Sequence, residues 1–192
     1  MERTEALRLP PGQTATAKWP VLHYGGIPRI DLASWEFTVS GEVEVPSRWT
    51  WEEFARLPRT TVRCDIHCVT AWSRFDNSFE GVAAAEVLRH ARGRQEAGFV
   101  MVHSYGGYTT NLPLAALLDP DAIFAVAHDG TPLTHEHGWP CRLVVPKLYF
   151  WKSAKWVRGI ELMLADRPGF WEQNGYHMRG DPWEEERYSD SW

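Results

Sequence analysis

The sequence predicts an α+β fold, a single domain built on a mixed or antiparallel sheet with a few short helices. Three observations carry that expectation. The 192 residues suffice for one well-buried core and are short for two. A hydrophobic share of 44% fits a folded globule. Strand-like and helix-like segments then mix without the regular βαβ alternation that builds a parallel sheet.

Residues 1–20 are Pro-rich and lack a hydrophobic period, so they read as an arm laid over the surface. Val21-Leu22-His23-Tyr24 leads into Gly25-Gly26, a turn at which backbone is expected to approach backbone closely. Trp35 to Val45 alternates as a strand with Trp35, Phe37 and Val39 on one face. Thr50-Trp51-Glu52-Glu53 has the form of a capping box; it opens a short helix through Phe54 and Leu57 that Pro58 closes. Thr61 to Cys68 is a short extended segment delivering two cysteines. Gly81 to Arg92 reads as a helix burying Val82, Val87 and Leu88, Phe99 to His103 as a buried strand, and Pro113 to Leu118 as a helix with Asn111 near its cap. Ile123 to Ala127 followed by Asp129-Gly130 looks like a hairpin, and Leu143 to Val145 and Trp156 to Leu164 like further strands. The polar tail, residues 177–192, reads as a surface wrap or a partly mobile end.

Composition narrows the function. No apolar run approaches the ~20 residues of a membrane helix, and the N-terminus lacks the basic-then-apolar layout of a secretory signal, so a soluble, cytoplasmic protein is expected. Three cysteines, Cys64, Cys68 and Cys141, fit reduced thiols better than a disulfide framework. A net charge of −5 argues against nucleic acid as a partner. The charge is unevenly spread: His137 to Ile160 contains no Asp or Glu but holds Arg142, Lys147, Lys152, Lys155 and Arg158, while Asp181, Glu184, Glu185, Glu186 and Asp190 collect in the tail. A cationic pocket for a bound anion is the functional reading of that stretch, and a solvated basic face is the plain one. Eleven Trp, more than a core of this size needs, point to a planar or bulky ligand or an interface.

Cys64-Asp65-Ile66-His67-Cys68 puts two thiols and an imidazole within five residues. Structural zinc would want four N or S ligands, usually as paired knuckles; Cys141 has no such partner, although His135 and His137 could complete a set. A thiolate activated by imidazole could serve as a nucleophile. For Cys64 and Cys141 plain packing competes with either role, because cysteine is among the most buried residue types.

Cys68 is set apart by its surroundings. His67-Cys68-Val69-Thr70-Ala71-Trp72-Ser73, followed by Phe79-Glu80-Gly81-Val82, resembles the metal-binding segment of the sulfite oxidase superfamily of molybdopterin oxidoreductases. Gly107-Tyr108-Thr109-Thr110-Asn111-Leu112-Pro113, Asp129-Gly130-Thr131-Pro132-Leu133, the run from His137 to Pro146 and Lys152-Ser153-Ala154-Lys155-Trp156-Val157 resemble later motifs of its catalytic domain, in the same order. The resemblance runs from about His23 to Tyr176. It implies the sulfite-oxidase-type molybdopterin-binding fold and a Mo-molybdopterin cofactor, with molybdenum held by the two dithiolene sulfurs of the pterin, the thiolate of Cys68, and oxo or water ligands. One cysteine then suffices, and the other thiols need no zinc-like partners.

The same resemblance implies roles for other residues. Tyr108 falls where a phenol can hydrogen-bond the transferred oxygen or the substrate; a core tyrosine at a strand–helix junction is the competing reading. His23, Tyr24, Ser104, His137, Arg142, Ser153 and Lys155 fall where relatives hold the pterin or its phosphate. Arg142 would fork onto the phosphate, and the Ser153-Ala154-Lys155 turn would offer backbone N–H groups and an ammonium. His67, Asp65 and Lys152 are expected to line the entrance.

Departures from the family pattern bound the activity. The chain has no room for a haem domain or a dimerisation domain, so electrons are expected to pass to or from a separate electron-transfer protein. An arginine cluster suited to sulfite is thin, with only Arg63 before Cys68 and Arg74 after it. A twin-arginine leader is not seen in the sequence. The expectation is therefore a cytosolic enzyme moving an oxygen atom on a small sulfur- or nitrogen-containing substrate; the rival is a pterin-binding carrier or an interaction scaffold with a Trp-rich interface.

Overall fold

The computed structural model describes residues 7–189; residues 1–6 of the arm and 190–192 of the tail, Asp190 among them, lie outside the described residues. Two sheets face each other. The first joins β1 (Thr14–Ala15), β4 (Arg59–His67), β5 (Trp72–Ala83), β8 (Ile123–His128), β9 (Thr131–Pro132) and β10 (Arg142–Val144); β5 pairs antiparallel with β4 and β8 and parallel with β1. The second runs in the order β3 (Ser47–Thr50), β2 (Glu36–Gly41), β11 (Val157–Met163), β6 (Phe99–Ser104), β7 (Thr109–Pro113), with β2 and β11 parallel and the other pairs antiparallel. Both sheets are thus mixed, as the α+β reading requires.

The main core lies between the sheets. Phe37 of β2 meets Phe124 of β8 edge to face at 4.8 Å, and Trp35, Phe37 and Val39 are all buried, the face their alternation predicts. Helix α1 (Trp51–Ala55) starts on the predicted capping box: Thr50 accepts from the Glu53 N–H while the Glu53 carboxylate accepts from the Thr50 N–H. The residues 81–92 divide differently from the expectation. Gly81, Val82 and Ala83 finish strand β5, and only Ala84–Ala91 is helix, α2. Gly81 is required there, because a Cβ would collide with the Phe124 carbonyl oxygen where β5 crosses β8.

Helix α3 (Leu114–Leu117) has no side-chain cap, so the expected capping role of Asn111 is wrong; Asn111 is buried in β7, and its amide donates to Asp166 and Met178. Gly25 takes a positive φ of 70°, but a Cβ at Gly25 or Gly26 would meet nothing within 4 Å, so this turn brings no backbone close. The arm is anchored, with Thr14 paired to Trp72 and Ala15 to Ser73. The tail folds back past a short helix, α4 (Phe170–Gln173), and Tyr188 bridges to Tyr176. Among the described residues no helix is long and apolar enough to cross a membrane.

Candidate active site

Cys68 sits in the tight turn between β4 and β5. Its N–H donates to the Trp72 carbonyl at 2.9 Å, its carbonyl accepts from Ala71 at 3.0 Å, and Ala71 holds a φ of +70°. A non-glycine residue in that region costs roughly 1–3 kcal/mol, and such strain persists where the surroundings over-determine the conformation. The thiol, with the residue 8% exposed, reaches the floor of a cavity of about 270 Å³ walled by Trp72, Trp151, Trp156, Trp171 and Tyr176. Its sulfur lies 3.1 Å from the Thr70 hydroxyl. Burial pushes the thiol pKa up, opposed by Thr70 and by the charges of Arg187 and Lys155. Among the described residues His67 makes no hydrogen bond to the thiol; its Nδ1 lies 2.8 Å from the Ser73 hydroxyl.

On the same cavity wall stands Arg142, buried, donating to the carbonyls of His137 at 3.0 Å and Ser153 at 2.8 Å. Among the described residues no carboxylate pairs with it. Burial pushes its pKa down to about 9, so at neutral pH it is a cation that no carboxylate of the described residues compensates. Lys155 stands beside it, its Nζ donating to the carbonyls of Leu22 at 2.8 Å and Glu136 at 2.6 Å; burial first, then Arg142, pushes it down to about 7. A buried guanidinium and a neighbouring amine, neither paired with a carboxylate among the described residues, make this wall electropositive. The other cations of the acid-free stretch do not join it: Lys147 pairs with Asp119, Arg158 with Glu36, and Lys152 is buried elsewhere.

His23, Tyr24, Cys68, Tyr108, Arg142, Ser153 and Lys155 all line this one cavity. Ser104 and His137 do not line it but back it. Ser104 pairs with Val157 beside Trp156; among the described residues its buried hydroxyl and the buried Nδ1 of His137 have no partner, and His137 stacks on Trp19 of the wall at 3.9 Å. The Ser153 N–H is already given to the Phe150 carbonyl and its hydroxyl accepts from Val145, so that turn offers an anion less than expected. The Tyr108 hydroxyl donates to the Trp151 carbonyl at 2.7 Å.

The expected entrance residues are elsewhere. Lys152 is fully buried in an ion pair with Glu172, His67 is buried, and Asp65 pairs with Arg8 on another surface. Among the described residues no three His, Cys, Asp or Glu side chains gather as a metal-holding group, so Cys64, Cys68 and Cys141 share no site. Trp19, Trp151, Trp171 and Tyr176 line the cavity although no motif marks them; the surplus of Trp is the one sequence signal that points to the three tryptophans.

Three histidines, His67, His128 and His137, are each pushed down to about 4, chiefly by burial. The unfolded chain binds their protons near 6.5 and the folded chain only near 4. Their contribution is therefore complete above about pH 6.5 and is lost as pH falls toward 4. Urea unfolding followed from pH 7 to 5 is expected to show falling stability with an uptake approaching three protons; a flat profile would contradict this burial.

The donor set fits a large planar anionic ligand: an aromatic slot lined also by a buried arginine and a soft thiol, backed by two buried polar atoms without a partner among the described residues. Comparison with known proteins agrees. The family model described as oxidoreductase molybdopterin binding domain matches residues 24–171. The uncharacterized oxidoreductase YuiH of Bacillus subtilis is 49% identical over 183 residues, 95% of this chain and 92% of the relative. The putative protein-methionine-sulfoxide reductase subunit YedZ1 of Azospira oryzae is 27% identical over 88% of this chain, and the sulfite oxidase of Arabidopsis thaliana 26% over 81%. The chain spans 66% and 49% of these two. In fold it is similar to the sulfane dehydrogenase SoxCD of Paracoccus pantotrophus, with a TM-score of 0.68 at 23% identity over 74% of this chain and 41% of that one. This chain belongs to the oxidoreductase molybdopterin-binding domain family, as an enzyme of the sulfite oxidase type with Mo-molybdopterin as its cofactor.

Proposed function

We propose that the enzyme transfers an oxygen atom to or from a small sulfur- or nitrogen-containing substrate, with Cys68 as the protein's one ligand to molybdenum. The observation that supports this reading is the Cys68 thiol opening into the same cavity as Arg142, a buried cation with no anionic partner among the described residues. When bound, the cofactor supplies two-electron oxygen-atom transfer between Mo(VI) and Mo(IV). The rest falls to the chain.

Arg142 and Lys155 take the cofactor's phosphate, and an arriving anion holds the proton on Lys155, whose pKa of about 7 leaves it half-charged at neutrality. His23, Tyr24 and Ser153 hold the pterin around that anchor, and Ser104 and His137 support the wall from behind. The 68–72 turn fixes the direction of the sulfur, and the Trp and Tyr walls exclude water from it. Tyr108 gives its proton to the Trp151 carbonyl, so it reaches a substrate oxygen only by exchanging that bond. Electrons pass to or from a separate electron-transfer protein in the cytoplasm, where three free cysteines are at home.

Elemental analysis of protein expressed with molybdate and a competent pterin pathway tests the reading. Molybdenum and phosphorus near one per chain are expected. Zinc alone would favour the Cys–His zinc site instead, and no metal at all a carrier or scaffold.

A further inference from the structure

The segment before the family match, which begins at residue 24, supplies part of the cavity wall: Trp19, Pro20, Leu22 and His23. Trp19 is the one of these whose ring meets the residues around Arg142. Its ring stacks on His137 at 3.9 Å and 12°, leans on His128 at 4.2 Å, and lies over Arg142, whose guanidinium carbon is 5.5 Å from the ring centre. The second aromatic neighbour of that guanidinium is Phe150, at 4.3 Å. The Arg142 cation is thus boxed by two aromatic rings, one of which arrives on the arm.

The arm is tied to the site at two points. At one point the Gln13 amide donates to the Cys68 carbonyl at 3.0 Å, the Ser73 hydroxyl donates to Gln13, and the Thr14 N–H donates to Ala71. Further along, Lys155 donates to the Leu22 carbonyl. The arm therefore touches the turn that carries the thiol and the lysine beside Arg142, with Trp19 between them. An aromatic ring over an ion pair keeps water from it and strengthens it.

We infer that residues 13–22 form a closing flap on the cofactor site and that Trp19 is a cofactor-holding residue, covering Arg142 and the cofactor's anionic end. The inference rests on the cavity being the cofactor site with its phosphate at Arg142. A flap that retains the cofactor must in turn be retained by it, because coupling between two events is reciprocal. Removing the ring then speeds cofactor loss, and removing the cofactor loosens the arm.

Both directions can be measured. Wild type, Trp19→Phe and Trp19→Ala are purified loaded, and molybdenum and phosphorus per chain are followed through prolonged dialysis. Trp19→Ala is expected to lose both about tenfold faster than wild type, the lower end of what loss of a supporting partner costs a metal site, and Trp19→Phe to stay near wild type. Separately, wild type with and without cofactor is exposed to trypsin, which cuts after the exposed Lys18. Cleavage there is expected to be about tenfold slower in the loaded protein. Equal retention in Trp19→Ala and wild type overturns the inference, as does equal cleavage of loaded and unloaded wild type. The trypsin arm uses wild type alone, so it decides the matter even where Trp19→Ala does not fold. A wild type that never carries molybdenum and phosphorus shows instead that the underlying reading of the site has failed.

Discussion

Cys68→Ser is expected to abolish the visible absorption of the loaded enzyme and to lower its oxygen-transfer rate below about a hundredth of wild type. That is a larger loss than the ~10–100-fold that removal of an outer partner of a metal site brings. A hydroxyl is a hard, weakly acidic ligand in place of a soft thiolate, and no second Cys stands near, since Cys64 and Cys141 belong to other clusters of the fold. The substitution is nearly isosteric, and the Thr70 hydroxyl 3.1 Å away can pair with a serine, so the fold is expected to persist with a change of about 1 kcal/mol or less. Cofactor phosphorus should outlast activity, because Arg142 and Lys155 are untouched. Measuring absorption, rate and phosphorus on one sample separates ligand loss from cofactor loss. Full turnover in the variant would remove Cys68 from the metal.

The features legible in the sequence are those that short stretches decide. The Thr50–Glu53 capping box, the alternation of Trp35, Phe37 and Val39 and the extended segment leading to Cys68 are local patterns, and each stands where it is expected. Gly81-Val82-Ala83-Ala84 has no local mark of where strand becomes helix; the boundary is set by β8 crossing at Gly81, a partner more than forty residues away. The resemblance places Lys152 at the entrance, and a lysine is mostly exposed, so nothing local argues for burial. Its burial depends on Glu172, twenty residues on, which nothing near Lys152 announces. Trp19 and Arg187 are hidden for the same reason. Arg187 donates to the Val69 carbonyl, next to Cys68, from a position 118 residues later.

The Lys152–Glu172 pair is where the second large effect is expected. The Lys152 ammonium is fully buried and has four acceptors within 3.0 Å: the Glu172 carboxylate, the Asn111 carbonyl and side-chain oxygen, and the Met178 carbonyl. The same Glu172 oxygen also accepts from the Trp151 indole at 2.8 Å and from Thr110 at 2.9 Å, while its other oxygen is buried without a partner. One carboxylate thus binds β7, α4 and the loop carrying Trp151, whose own carbonyl holds Tyr108. Burial pushes the lysine pKa down and Glu172 opposes that shift, so removing the carboxylate charge leaves the ammonium without compensation. Glu172→Gln keeps the shape and removes only the charge. It is expected to cost about 3–5 kcal/mol in urea unfolding, the usual loss when one partner of a buried pair is taken away. Lys152→Met should cost a similar amount, and Lys152→Met with Glu172→Leu should recover much of it, because a buried pair replaced by apolar groups of like volume is often neutral. The Trp151 indole loses its carboxylate acceptor wherever Glu172 is replaced, so a changed tryptophan emission should accompany those variants. If Glu172→Gln costs under about 1 kcal/mol, the value of an ordinary hydrogen bond, the charge is not what holds the cavity wall, and packing of Trp151, Trp171 and Tyr176 must carry it alone.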